Sequence, residues 1–170
     1  MHGKEVNTVL MVVKIRIREE YDIVTARVSA KEEAKKLGFG IVDQTRIATA
    51  VSELARNIVD YAGEGVIEIN IVDKKGVVGG SGSGSSEKER GGDNGGENDI
   101  EREGCLGLEI IAVDNGPGIE DVEKALEDGF STGGGLGIGL GGVRRLMDEF
   151  EIQSKVGEGT KVRVVKWKRI

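Results

Sequence analysis

Glu53 and Asn57, one helical turn apart, form a pair able to do chemistry in this 170-residue chain. A carboxylate can orient or deprotonate a hydroxyl, and an amide oxygen can ligate a hard cation. On a helix over about 44–62, Ile47, Val51, Leu54, Ile58 and Tyr61 cluster within roughly 80° as a buried stripe. Glu53 and Asn57 share a flank of that stripe, at the border between core and cleft. Taken alone, the pair reads more readily as a solvated helix face. Further on, Asp114-Asn115-Gly116-Pro117-Gly118 follows an apolar run. Asp114 stands where a strand enters a cleft, and its carboxylate can accept from an exocyclic amine. Gly116 and Gly118 let backbone approach a flat ring, and Pro117 stiffens the turn. A tight turn closed by an Asx-type bond accounts for the same residues equally well.

A third stretch runs Ser131, Thr132, Gly133, Gly134, Gly135, Leu136, Gly137, Ile138, Gly139, Leu140 into a helix. Small residues ahead of a helix expose N–H groups beside its positive end, which suits phosphate. Gly137, Gly139 and Gly142 match G-x-G-x-x-G, but no strand precedes them, so the dinucleotide-binding setting is missing. No G-x-x-x-x-G-K-[ST] occurs, which removes the Walker-type nucleotidases. Gly157-Glu158-Gly159-Thr160 leads into the last long strand and by itself is a hairpin turn. His2 is the only histidine, so neither a histidine metal site nor a phosphorelay can be built.

The elements that must position these residues alternate along the chain. A strand is predicted at 12–17, then a helix from Asp22 to Leu37 that stops at Gly38. Asp43 is the predicted cap of the 44–62 helix. Val66–Val72 and Leu106–Val113 read as neighbouring antiparallel strands joined by a long insertion. A short helix follows near Glu120–Glu127, another at about 139–149, and a hairpin of Ile152–Lys155 and Thr160–Lys166 ends the chain. The fold class expected is α+β: a two-layer sandwich with helices on one face of a mixed, mostly antiparallel sheet.

Composition agrees with one domain over 1–170. Val, Ile, Leu and Phe number 48, enough for a core and too many for a wholly disordered chain. Eight of the 28 glycines lie in 79–96, where no apolar residue occurs between Val78 and Ile100, so 79–100 reads as a flexible Gly/Ser/acidic insertion. Residues 87–103 carry −4 of the net charge of −6, and no basic stripe interleaved with aromatics remains. That argues against nucleic acid as a partner. The early apolar run, Val9 to Val13, is too short for a membrane span or a secretory signal, and a single cysteine excludes an internal disulfide framework. A cytoplasmic protein is expected.

In order, E-x-x-x-N at Glu53–Asn57, D-x-G-x-G at Asp114–Gly118, the glycine run ending Gly135-x-Gly137-x-Gly139, and Gly157-x-Gly159-Thr160 resemble the four nucleotide-binding boxes of the GHKL ATPase/kinase superfamily, whose architecture is the Bergerat fold. Within it, the stretches DQTRIATAVSELARNIVDYAG and DNGPGIEDVEKALEDGFSTGGGLGIGLGGVRRLMDEF are most similar to RsbT-type switch serine/threonine kinases and, more distantly, to anti-sigma factor kinases. The similarity spans about 12–76 and 105–167.

The resemblance implies ATP and Mg2+ as cofactors. Asp114 would read the adenine amino group with Gly118 and Thr160 at the ring, Asn57 would hold the magnesium, and Glu53 would act as general base or orienting group. Gly129–Gly139 would cover the triphosphate. It further implies transfer of the γ-phosphate to a serine or threonine of a small STAS-domain antagonist in stress or sigma-factor signalling, with a phosphatase or other regulator as further partner. The first strand and exposed sheet edge leave a homodimer open. One departure stands out: no Lys or Arg occurs from Asp128 to Val143, so backbone N–H groups, magnesium, or Arg144 and Arg145 would have to meet the γ-phosphate. That departure keeps two alternatives in play, a nucleotide-gated binding switch and a simple ATPase.

Overall fold

The computed structural model describes residues 6–74, 104–127 and 139–169. The predicted insertion 79–100 and most of the glycine run, Ser131 through Ile138, lie outside the described residues. Among the described residues ten elements follow one another: β1 (Val6–Ile17), α1 (Glu20–Lys36), α2 (Ile41–Asn57), a π-helical turn (Ile58–Ala62), β2 (Gly65–Lys74), β3 (Cys105–Asp114), α3 (Val122–Ala125), α4 (Gly139–Leu146), β4 (Glu149–Lys155) and β5 (Gly159–Trp167).

The strands form one sheet in the order β1-β2-β3-β5-β4. Every pairing is antiparallel, where a mixed, mostly antiparallel sheet was expected, because β5 arrives as the return arm of a hairpin from β4 and lies beside β3 in the opposite sense. Alternation sorts the strands into two faces. Ile67 and Ile69 of β2, Leu108, Ile110 and Ala112 of β3, and Val162 and Val164 of β5 point to the same side and are fully or almost fully buried. They share one core with Ile23, Ala26, Ala30 and Ala34 of α1 and Ile47, Val51, Leu54 and Ile58 of α2. Each fully buried Ile or Leu there contributes about 2 kcal/mol.

The opposite face carries a polar network. Asn70 donates to Glu109, and Arg163 bridges Glu109 and Glu149. Burial works to lower the Arg163 pKa, but the hydrogen bond and charge of Glu109, helped by Glu149 and Glu151, outweigh it and hold the guanidinium above its ordinary value.

Helix ends differ in how they match expectation. α1 starts where Asp22 accepts from the backbone N–H of Arg18 and Glu19. It ends as predicted at Gly38, whose N–H meets Lys35 O while Phe39 N–H meets Ala34 O. The cap of α2 is Gly40, not Asp43. Asp43 lies inside the first turn, where its carboxylate favours the positive helix end and pairs with Arg46 at 3.0 Å. β1 begins six residues earlier than the predicted 12–17. Register shifts at Thr8/Leu10 and Met11/Val13 break the alternation by which a strand is read from sequence. No helix among the described residues is long and apolar enough to cross a membrane.

Candidate functional site

Strand register brings the site together. β2 and β3 pair so that Gly65 faces Asp114, and β3 and β5 pair so that Asp114 faces Thr160. The end of β3 therefore meets the start of β5 at one end of the sheet. α2 packs over that end, and its last residue, Asn57, faces the same space. Between them lies a cavity of 280 Å³ lined by Leu54, Asn57, Ile58, Tyr61, Ala112, Asp114, Pro117, Gly118, Ile119, Ala125, Gly139, Leu140, Thr160 and Val162. Small-ligand sites begin at about 300 Å³. The walls are mainly aliphatic, with Asn57, Asp114 and Thr160 as polar points, which suits a flat heterocycle with a donor-bearing edge.

The loop after β3 is held by close backbone approaches. Asp114 Oδ1 accepts from Gly116 N–H at 2.9 Å, an Asx-type bond that fixes the carboxylate at the cavity edge. The Asx-type turn and the edge of the cavity are therefore the same feature. Gly118 has φ +75°, and a Cβ there would come within 2.3 Å of Lys155 O, so only glycine lets this loop lie against the β4–β5 hairpin. Gly116 packs on Ala62 of the π-helical turn, where a Cβ would meet Ala62 Cβ at 2.6 Å. Gly116 is not a wall of the cavity; its small size lets protein meet protein behind the wall. Thr160 Oγ1 is held 2.8 Å from Ser154 Oγ, and Ser154 Oγ in turn accepts from Ile119 N–H at 2.8 Å.

Glu53 behaves differently from its neighbour one turn on. It is only 4% exposed, and it lines a separate groove of 700 Å³ between α1 and α2 with Arg27, Lys31, Thr49, Ser52 and Arg56 among others. Asn57 lines the cavity. The pair thus sits on the partition between two open spaces. Arg144 and Arg145 are exposed on α4, and neither lines the cavity.

Tyr61 corrects the predicted stripe. It is 51% exposed and forms part of the cavity wall, because the π-helical turn Ile58–Ala62 abandons the 100° spacing on which the stripe was drawn. The apolar walls Leu54, Ile58, Ala112, Ile119, Ala125 and Val162 had no motif to mark them, although their alternation within strands and helices marks them as inward-facing. Ser154 carried no signal at all.

A family model described as the histidine kinase-like ATPase domain matches residues 17–166. The chain belongs to that family. Relatives match this chain over very different spans. The serine/threonine-protein kinase RsbT of Bacillus subtilis (strain 168) is 50% identical over 155 residues, 91% of this chain and 96% of the relative. The anti-sigma F factor of Caldanaerobacter subterraneus subsp. tengcongensis is 41% identical over 63 residues, 35% of this chain and 44% of that protein. The anti-sigma F factor of Thermoanaerobacter sp. (strain X514) is 40% identical over the same length and shares. The α+β sandwich described above is consistent with the family's fold.

Magnesium can be tested against the residues present. Among the described residues no cluster of three or more His, Cys, Asp or Glu could cage a metal. Mg2+ in nucleotide sites keeps several waters and phosphate oxygens and takes only one or two protein oxygens. A single amide oxygen from Asn57 at the cavity wall fits that donor set.

Proposed function

We propose that this protein is an ATP-dependent serine/threonine kinase of the RsbT type. On this reading it transfers the γ-phosphate to a hydroxyl of a small regulatory partner, an STAS-domain antagonist in stress or sigma-factor signalling, in the cytoplasm. The observation that carries the reading is the cavity that unites Asn57, Asp114 and Thr160, with Glu53 one turn away on the same flank of α2, where the cavity adjoins the α1–α2 groove.

Asp114 accepts a hydrogen bond from the exocyclic amine of the base, while Leu54, Ile58, Ala112 and Val162 sandwich its ring. Asn57 would hold Mg2+, which when bound neutralises phosphate charge. Gly139 and Leu140 bound the cavity at the start of α4, downstream of Ser131–Ile138, which are assigned to the triphosphate cover. The acceptor segment approaches along the α1–α2 groove, where Arg27 and Lys31 supply positive charge, Arg56 is paired with Glu20, and Glu53 meets the hydroxyl. Glu53 takes the hydroxyl proton as the oxygen attacks the γ-phosphorus, the bond to the β–γ bridging oxygen breaks, and ADP leaves. Such transfer depends on positioning and charge neutralisation more than on covalent chemistry.

Incubation with labelled ATP, Mg2+ and purified STAS-domain proteins tests the reading. Label on a serine or threonine of the partner is expected. Tight nucleotide-dependent association without label would replace it with a nucleotide-gated switch, the reading favoured by the run without Lys or Arg from Asp128 to Val143. Phosphate release without a labelled protein would leave an ATPase.

A further inference from the structure

The polar end of the cavity contains a hydroxyl whose proton is directed from outside. Ser154, on β4, is not a wall of the cavity. Its Oγ accepts from Ile119 N–H at 2.8 Å, stands 2.8 Å from Thr160 Oγ1, and reaches Gly159 O at 3.2 Å. A serine hydroxyl has one proton to give and two acceptor positions. Donation to Gly159 O, with acceptance from Ile119 N–H and Thr160 O–H, satisfies all three contacts at once. The reverse polarity, Ser154 donating to Thr160, forfeits the bond to Gly159 O. The first arrangement therefore has one more hydrogen bond. In it the Thr160 proton points at Ser154, and only lone pairs of Thr160 face the cavity.

Thr160 is the register partner of Asp114, and both line the cavity. A carboxylate also only accepts. The base edge that fits between two acceptors must carry donors. The exocyclic amine of a 6-amino purine offers two N–H groups, one for each acceptor; a 6-oxo purine puts a carbonyl in that place and keeps only N1–H as a donor on that edge, so at least one acceptor faces the carbonyl and the unpaired polar groups would be penalised.

We infer that Ser154 is a positioning residue for base selection: it holds Thr160 as an acceptor beside Asp114, and so sets the preference for a 6-amino over a 6-oxo purine nucleotide. The inference rests on the nucleotide reading of the cavity and adds to it a residue no motif contains. It needs no phosphotransfer.

The test is calorimetry of the full chain with Mg2+ and either ATP or inosine triphosphate. Wild type is expected to prefer ATP. In Ser154→Ala the Thr160 hydroxyl is released to donate, and the ATP-over-inosine preference should fall about tenfold, the effect of one neutral hydrogen bond. Ser154→Thr, which keeps the hydroxyl, should retain the preference. In a Thr160→Val background Ser154→Ala should have no further effect, since the residue through which it acts is gone. An unchanged preference in folded Ser154→Ala, or an equal change in the Thr160→Val background, overturns the inference.

If Ser154→Ala does not fold, Thr160→Val alone decides by sign. Loss of an acceptor narrows the preference for ATP; a wider gap means that Thr160 donates, and the inference fails. Wild type that binds ATP selectively but labels no partner would sink the kinase reading and leave this one standing. Wild type that labels a partner yet binds ATP and inosine triphosphate alike would do the reverse. Failure to bind either nucleotide removes both.

Discussion

Replacing Asp114 with asparagine changes one atom and exposes the logic of the cavity's polar end. Asp114 Oδ1 accepts from Gly116 N–H at 2.9 Å, and in the proposed function the carboxylate also accepts from the base amine. An asparagine has one acceptor and one donor group, so it can accept only one of these two bonds. With its oxygen toward Gly116 the turn survives, but an NH2 faces the amine of the base. With its oxygen toward the base, the NH2 confronts Gly116 N–H. Either way a charge-assisted hydrogen bond is lost or a donor is set against a donor, which costs about 2–3 kcal/mol. That corresponds to roughly 30- to 150-fold in Kd. Calorimetry with a non-hydrolysable ATP analogue measures it, with circular dichroism to confirm the fold. The side chain is at the cavity edge and not in the core, so thermal stability should change little. A folded Asp114→Asn protein that binds the analogue within about threefold of wild type would remove Asp114 from base recognition, and the orientation of the nucleotide argued above would go with it.

Three further outcomes are expected. Glu53→Gln should lower phosphotransfer by roughly 10²- to 10⁴-fold, the range for a lost general base, while ATP affinity in a binding titration stays within about twofold, because Glu53 lies outside the cavity. Gly118→Ala should destabilise by about 3 kcal/mol through its positive φ and the overlap with Lys155 O, lowering Tm by about 6–12 °C in a thermal melt. Arg163→Met leaves Glu109 buried with Asn70 as its remaining partner among the described residues. The expected loss is about 3 kcal/mol, visible in urea titration, with nucleotide affinity unchanged because the network lies on the sheet face away from α1 and α2.

What was legible in the sequence was whatever depends on local period and local chemistry. The stripe of Ile47, Val51, Leu54 and Ile58 is buried because 3.6-residue spacing and burial are the same fact on a regular helix. β2 and β3 were readable as β-branched runs, and their register places Asp114 at a sheet end, where the turn that follows needs glycine. Tyr61 failed by the same rule that found Ile58: a π-helical turn rotates the chain off the helical spacing, and nothing in I-V-D-Y-A announces it. Glu53 was placed at a border but is nearly buried, since α1 packs beside it and that packing depends on contacts some thirty residues away in sequence. The N-terminal half of β1 was hidden by two register shifts. Ser154 was invisible because its role comes from cross-strand pairing with Thr160, and a serine in a strand has no signature of its own.

Lys74 and Cys105 are register partners at the end of the β2–β3 ladder opposite Gly65 and Asp114. The chain leaves and re-enters the sheet at adjacent points, so the geometry there asks only that the two ends meet. Loop-closure entropy grows as the logarithm of length, by about 0.6 kcal/mol per doubling. Residues 75–103 are thus a splice point: a fluorescent reporter or an affinity handle could be grafted between these strands with little thermodynamic penalty, nine register positions from Asp114.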